Sequence, residues 1–454
     1  MGKSKSTSTL GLLLFGLIIA GIIYVYKSSS FERDKAVITM QTNGYWNLKQ
    51  SVGVDITDES GVKSYKILLK TADGESVITH EQLIEPMKTL HLDIKPPRSA
   101  YSLKEDSLTI VVEINDASSW NFMKGNFVRK EFEFIIDKRR PQTSILSNSY
   151  KISKGGSALV IFRATDDNLK DIYIESNNNK KFKPQPFYKD GYYISLLAWS
   201  LKDKDFKAVI VAKDYAGNIK KTHIPLYLKN KKYRTSTLKI SSRYLETKTA
   251  QLAEEFVETQ AITDPVKQFQ IINEVIRGKN EDLIRKYTSV VSDEMIDDFR
   301  INKMYPLRNG KVAAYFGDHR YYNHNGKRIS EAYHMGLDLA SVAMAEIKPQ
   351  NGGKVVYSDY NGIYGNMPII DHGLGLYTLY GHCSSTQVNV DDYFSAKNVL
   401  ANTGKTGAVM GDHLHFGVLV QGIEVRPQEW MDSKWIKLNI TDVIKNAKEI
   451  INKS

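Results

Sequence analysis

Hydrophobic positions along this chain fall into four successive patterns. The first is a solid block. From Thr9 to Tyr26 no side chain carries a charge, a run just long enough for a helix to cross a bilayer. Lys3 and Lys5 precede it, and Lys27-Ser-Ser-Ser follows in place of an A-x-A-like cleavage site, so an uncleaved transmembrane anchor over residues 1–29 is expected. The second pattern, from about Ala36 to Asn230, is one of short alternating stretches broken by Asp, Asn, Gly and Ser, which is how β-sandwiches read. The third is helical, over 245–300. Asp264 and Pro265 suit an N-cap and first helical position, Val266, Phe269, Ile272 and Ile276 form an apolar stripe, and Gly278 is placed to end the helix. A second helix over Glu281–Tyr287 turns Leu283 and Ile284 inward, and Thr249–Thr259 also reads as helix. The last pattern, 301–436, returns to short apolar strands, and a final helix over 437–454, capped by Thr441, carries Val443, Ile444, Ala447, Ile450 and Ile451 on one face.

The second region contains a repeat. Val54-Asp-Ile-Thr-Asp58 corresponds to Phe162-Arg-Ala-Thr-Asp166, and Ile114-Asn-Asp116 to Ala212-Lys-Asp214. Each copy is the size of an immunoglobulin-like domain, and Asp214-Tyr-Ala-Gly-Asn218 resembles turns of bacterial Ig-like modules. Two such modules are therefore expected, over 36–137 and 138–231, joined at the charged Asp137-Lys-Arg-Arg-Pro141. They suit a spacer, with a protein partner or glycan as the functional reading. The fold class is mainly β: an N-terminal transmembrane helix, two Ig-like sandwiches, a helical connector and a β domain at the C-terminal end.

Composition changes this picture in two places. The formal net charge of +11 is spread along the chain with no nucleic-acid-binding motif, so anionic polymers or lipid head groups, not nucleic acid, are the expected partners. The single cysteine, Cys383, excludes an intrachain disulfide framework and reads as a small buried residue.

The histidines carry the chemistry. Seven of ten (319, 324, 334, 372, 382, 413 and 415) fall in the last third. His413-Leu-His415 lies among strand-forming residues, so both imidazoles leave one face of a sheet. His334 and Asp338 are four apart, a spacing open to one helix face, although Gly336 favours a loop entering a strand. Imidazole and carboxylate suit zinc, and a catalytic zinc keeps three protein ligands and a water that it acidifies into a nucleophile.

His334-x-x-x-Asp338, His382 in Tyr-Gly-His, and His413-x-His415 together resemble the signature of the M23 (LytM, lysostaphin-like) zinc peptidases. The resemblance covers about Tyr305 to Ile436 and implies a LytM-type antiparallel β catalytic domain over 301–436. It implies His334, Asp338 and His415 as ligands of Zn2+, with His382 and His413 orienting water, moving protons and stabilising the oxyanion. Gly404 and Gly407 would let a peptide backbone approach, and Arg320 and Tyr364 would line the cleft. The loops at 345–355 and 390–398, and Cys383 after His382, depart from the family pattern without touching a ligand. The expectation is a membrane-anchored zinc endopeptidase cutting stems or cross-links of peptidoglycan, with its catalytic domain in the periplasm or outside the cell. The rivals are a non-enzymatic LytM-like activator of a cell-wall amidase and a scaffold working through its Ig-like modules. The helical connector either packs on the catalytic domain or lies over its cleft.

Overall fold

The computed structural model describes residues 6–72, 74–97 and 105–453. Lys3 and Lys5, expected to flank the apolar block, lie outside them. The block itself is a helix, Ser6–Lys27. Its window Leu10–Lys27 has a mean hydropathy of 2.1 and is wholly unburied, so by length and composition it suits a membrane span or a signal sequence.

The described chain divides into two compact units: residues 1–141 with the turns 166–170 and 213–219, and the remainder to the C-terminus. In the first unit one six-stranded sheet takes the order Val37–Met40, Val52–Thr71, Ser107–Asp116, Phe127–Ile136, Tyr45–Trp46, with Gly74–Ile94 on the second edge of Val52–Thr71. The hairpin of Val52–Thr71 and Gly74–Ile94 is long, and register shifts between Thr57 and Val62 interrupt its ladder, as bulges do where a strand must bend. Alternate side chains (Val54, Ile56, Ile110, Val112, Ile114) fill a core closed by Trp46 and Phe134. The repeat seen in the sequence has a structural counterpart. Asp58 and Asp116 meet beside Glu32, and the equivalent Asp166 and Asp214 meet beside Asp137.

The second unit begins with two four-stranded sheets. One runs Gln185–Pro186, Tyr192–Ala198, Ser157–Thr165, Gln142–Asn148, the other Lys181–Phe182, Leu169–Ser176, Ala208–Asp214, Ile219–His223. Their inner residues, among them Val160, Leu196, Ile174 and Ile210, belong to one core that continues without a break into Leu337, Phe416, Val418, Trp430 and Ile444. Ser157–Thr165 is buried at seven of nine positions, the pattern of a strand covered on both faces.

The rest of the unit is an eight-stranded antiparallel sheet in the order Lys311–Ala314, Leu337–Ala340, Leu414–Val420, Leu376–Gly381, Asn366–Asp371, Gly353–Tyr360, Tyr393–Phe394, with Ile423–Val425 also on Leu414–Val420. Leu414–Val420 lies at its centre and is buried at every position, which is why His415 is its only ionisable side chain.

Two helix boundaries differ from the sequence expectation. Asp264 caps as expected, its side chain accepting from Val266 N–H, but Gly278 does not stop the helix. Pro265–Ile271 passes through a π-helical turn, Ile272–Ile276, into Arg277–Thr288. No atom would meet a Cβ at Gly278, so it is a helical residue on an open face, and the chain has no need of a left-handed turn there. Similarly Thr441 is itself helical and makes no capping hydrogen bond. The C-terminal run begins at Asp432, whose side chain accepts from Lys434 N–H, and continues through the π turn Lys437–Thr441 to Ile451.

The short helix Pro427–Trp430 carries a buried acid. Glu429 accepts a hydrogen bond from Ser157 N–H at 3.0 Å, and its oxygens occupy the space a Cβ would need at Gly156. Burial pushes its carboxyl up to about 7, against the stabilising Ser157 N–H and the nearby Arg426. The folded chain therefore holds this proton longer than the unfolded one. Its contribution to stability is complete below about pH 4.5 and is lost as pH rises through 7, roughly 3 kcal/mol in all. Glu429→Gln should keep the hydrogen bond and remove that loss, so its denaturation midpoint should exceed that of the natural chain at pH 8 and match it at pH 4.5. Equal midpoints at both pH values would refute the assignment.

Candidate metal centre

Three strands fix the site through their register. Leu337–Ala340 and Leu414–Val420 pair so that Asp338 faces His415, and Leu376–Gly381 pairs on the other side so that Gly381 faces His415. Asp338 and His415 are thus cross-strand neighbours, and His382 follows as the first residue past its strand. His334 sits in the connection between Lys327–Tyr333 and Leu337–Ala340. The loop-into-strand reading of the His334–Asp338 spacing is the one observed.

His334 Nε2, Asp338 Oδ1 and His415 Nδ1 form a triangle with edges of 2.9, 2.9 and 3.1 Å. Four ligands about zinc at bond lengths near 2.0–2.1 Å stand about 3.3 Å apart, so a slight opening of this triangle accommodates the ion. The tautomers agree. His334 Nδ1 lies 3.0 Å from the Tyr315 carbonyl, which can only accept, so Nδ1 carries the hydrogen and Nε2 keeps its lone pair for a metal. Burial alone would lift the Asp338 carboxyl, but the adjacent imidazoles of His334 and His415 hold it well below the usual carboxylate range. Burial pushes His415 down to about 4, against the pull of Asp338. An ionised carboxylate and a neutral imidazole are the states in which these groups ligate. The other oxygen of Asp338 lies 3.6 Å from Arg320 Nη2, whose Nε is 3.5 Å from Asp318.

His382 and His413 flank this triangle, their rings 5.0 Å apart. Each donates its Nδ1 hydrogen to a carbonyl, Thr406 for His382 at 3.0 Å and Gly411 for His413 at 2.9 Å. Each therefore presents Nε2 as a base. Burial first, then the neighbouring His415 and His413, pushes His382 well below the ordinary imidazole range, so it is neutral near pH 7. His382 adopts a left-handed backbone (φ 65°), uncommon for a residue with a side chain.

All five residues line one cavity of about 310 Å3, together with Arg320 and Tyr364. Tyr364 meets His415 edge-on at 5.5 Å. Gly404 and Gly407 are absent from this lining. A Cβ at Gly404 would strike Ser384 N at 2.5 Å, and one at Gly407 (φ +75°) would strike Gly365 N at 2.5 Å, so the space beside both is filled by the chain's own backbone.

The helical region supplies the rest of the cavity. Thr235–Lys239 adds a strand to the hairpin His319–His324/Lys327–Tyr333, and the helices that follow contribute Tyr244, Thr249, Leu252, Phe269, Ile272, Asn273 and Arg277 to the lining. They are fixed on both sides. Gln270 donates to the Ile329 carbonyl at 2.7 Å and Asn273 to Ser330 Oγ at 2.8 Å. Across the cleft, Asn280 Oδ1 accepts from Ile363 N–H at 2.9 Å. From the sequence, Gly336 bears on secondary structure alone. A Cβ there would stand 2.5 Å from His415 Nε2, so the missing side chain leaves room for the His415 ring. Its setting, one glycine between His334 and Asp338, was the available signal.

Residues 332–427 match peptidase family M23. Over that segment the chain is similar to this family. The chain is 30% identical over 96 residues to the murein hydrolase activator EnvC of Escherichia coli, covering 21% of this chain and 23% of the relative. It is 30% identical over 94 residues to the DD-carboxypeptidase/endopeptidase Mpg of Neisseria meningitidis serogroup B, covering 21% and 22%. To the peptidoglycan DD-endopeptidase ShyC of Vibrio cholerae it is 29% identical over 123 residues, covering 27% and 28%. The matched segment thus spans about a quarter of the length of these curated relatives. Among solved structures, the catalytic domain of lysostaphin from Staphylococcus simulans is similar at 25% identity over 28% of this chain and 95% of that one, with a TM-score of 0.24.

Proposed function

We propose that this protein is a membrane-anchored zinc endopeptidase that hydrolyses peptide stems or cross-links of peptidoglycan. The observation that carries the reading is the complete triangle of His334 Nε2, Asp338 Oδ1 and His415 Nδ1, accompanied by two histidines whose Nε2 atoms are free to accept protons. The names of the relatives support the substrate class, which puts the catalytic domain outside the cytoplasm, and the apolar helix Ser6–Lys27 supports the anchor.

His334, Asp338 and His415 would hold the metal, which when bound acidifies a water and polarises the scissile carbonyl. His382 and His413 then divide the remaining work. A neutral imidazole takes the proton of the attacking water, and its protonated form returns it to the leaving amine. The other, in its protonated form, donates from Nε2 and stabilises negative charge on the carbonyl oxygen. Arg320, 3.6 Å from the outer oxygen of Asp338, adds positive charge beside that carboxylate.

The test is a digest of purified peptidoglycan by the full-length chain in detergent, with product masses read by mass spectrometry before and after a chelator and after zinc is restored. Shortened stems or resolved cross-links that vanish with the chelator and return with zinc are expected. One zinc bound per chain with no product overturns the enzyme reading and favours an activator of a separate amidase.

A further inference from the structure

The cavity beside the metal centre is unbalanced in charge. Its lining includes three cationic side chains, Lys239, Arg277 and Arg320, and one acidic one, Asp338. Asp338 is committed to His334, His415 and Arg320, which accounts for Arg320. Arg277 has no such match. Its guanidinium donates from Nε to the Asn273 carbonyl at 3.1 Å and from Nη2 to Asn273 Oδ1 at 2.8 Å, neutral acceptors both. Among the described residues the cavity lining brings it no carboxylate. These two bonds anchor one edge of the planar group and hold it half-buried at the start of Arg277–Thr288.

A second polar group in the same wall also lacks a partner. Thr249 is 1% exposed, lines the cavity, and its hydroxyl makes no hydrogen bond among the described residues. A buried hydroxyl left in this state is destabilising, and a ligand oxygen would satisfy it. Thr249 ends the π-helical turn Leu245–Thr249, and Asn273, which orients Arg277, lies in the π-helical turn Ile272–Ile276. Such turns recur at functional sites because they redirect a side chain without ending the helix. The same helices also line the cavity with apolar side chains (Leu252, Phe269, Ile272), and apolar surroundings strengthen a charge-assisted hydrogen bond.

We propose that Arg277 binds a carboxylate of the peptide substrate, with Thr249 as an auxiliary hydrogen-bonding group. The helical region is then part of the substrate site as well as its cover. A guanidinium edge meets a carboxylate in two parallel N–H···O bonds, which sets the peptide in one orientation relative to His382, His413 and the metal ligands. The carboxylate is either the C-terminus of the peptide or an acidic side chain next to the scissile bond. This assignment rests on the peptidase reading for its substrate but not for its binding chemistry.

The test uses the zinc-loaded full-length chain and two small probes, acetyl-D-alanine and acetyl-D-alaninamide, with binding followed by calorimetry and zinc counted in every sample. The natural chain should bind the acid at least about tenfold more tightly than the amide. Arg277→Gln should lose that preference with its zinc content unchanged, and Arg277→Lys should keep part of it. A preference that is absent in the natural chain, or that survives in Arg277→Gln, overturns the proposal; in the second case the metal or another cation holds the carboxylate. Peptidoglycan digestion run in parallel separates the two readings. An acid preference without hydrolysis leaves the carboxylate site standing and removes the peptidase, whereas hydrolysis without the preference does the reverse. Stem peptides amidated either at the C-terminus or on the acidic side chain then name the source, since only the modification of the bound carboxylate should slow cleavage in the natural chain and have no effect in Arg277→Gln.

Discussion

Gly336→Ala is expected to cut hydrolysis and zinc affinity by about 10²-fold or more, although position 336 offers no side chain to the chemistry. The new methyl would stand 2.5 Å from His415 Nε2, 2.6 Å from Cε1 and 2.9 Å from the Phe416 carbonyl. Ordinary contact begins near 3.4 Å, so the ring or the loop must shift by about 1 Å, a misplacement that costs a reaction about 10²-fold. The ring has nowhere to go. His415 is 7% exposed, and its strand is paired on both sides by Leu337–Ala340 and Leu376–Gly381. Zinc counted by metal analysis and the rate of peptidoglycan release should fall together. Full zinc and full rate in Gly336→Ala would mean that the loop yields and that the His415 ring does not need this room. His415→Ala, which removes the ligand outright, sets the lower limit on the same scale.

The second large effect separates metal binding from proton transfer. His382→Asn and His413→Asn should each keep one zinc per chain and lose about 10²–10⁴-fold in kcat, the range ascribed to one positioned acid–base group or oxyanion donor. Asparagine suits position 382 in particular because it tolerates the left-handed backbone that His382 adopts at φ 65°. Its amide also retains a donor for the Thr406 carbonyl, while the Nε2 base disappears. The double variant should be little worse than either single one if the two imidazoles act as a unit. A variant that kept its rate would strip that histidine of its role, and one that lost its zinc would make it a ligand.

How much of this was legible beforehand depended on whether a feature is local. His413 and His415 announce themselves because a strand repeats every two residues, and the buried run from Leu414 to Val420 made the strand plain. Asp338 facing His415 was beyond reach of spacing, since register is settled by the whole sheet. The N-cap at Asp264 was readable, but the stop at Gly278 was not. Glycine ends a helix where the chain must turn left-handed, and here the helix continues to Thr288, held by Asn280 against Ile363 and by apolar contacts of Ile276 and Ile284. Gly404 and Gly407 were read as room for a substrate, because a sequence shows that a Cβ is missing but not what fills the space. Arg277 went unnoticed for the same reason. An arginine on a polar helix is ordinary until the far wall of its cavity is known. The apolar helix Ser6–Lys27 was the most legible element, its signal being composition alone.

Cys383 was read as a small buried residue, and it is fully enclosed, its thiol directed at the Tyr380 carbonyl at 3.2 Å. Burial pushes that thiol up to about 12, so in the folded chain it is neither exposed nor ionised, and alkylating reagents cannot reach a thiolate. It directly follows His382. Its rate of labelling therefore reports how often the strand end that carries His382 opens. Because an ion held by His334, Asp338 and His415 stabilises only the closed form, zinc should slow that labelling in proportion to its affinity. The sole thiol of the chain becomes a clock for the metal centre, readable with no substrate present.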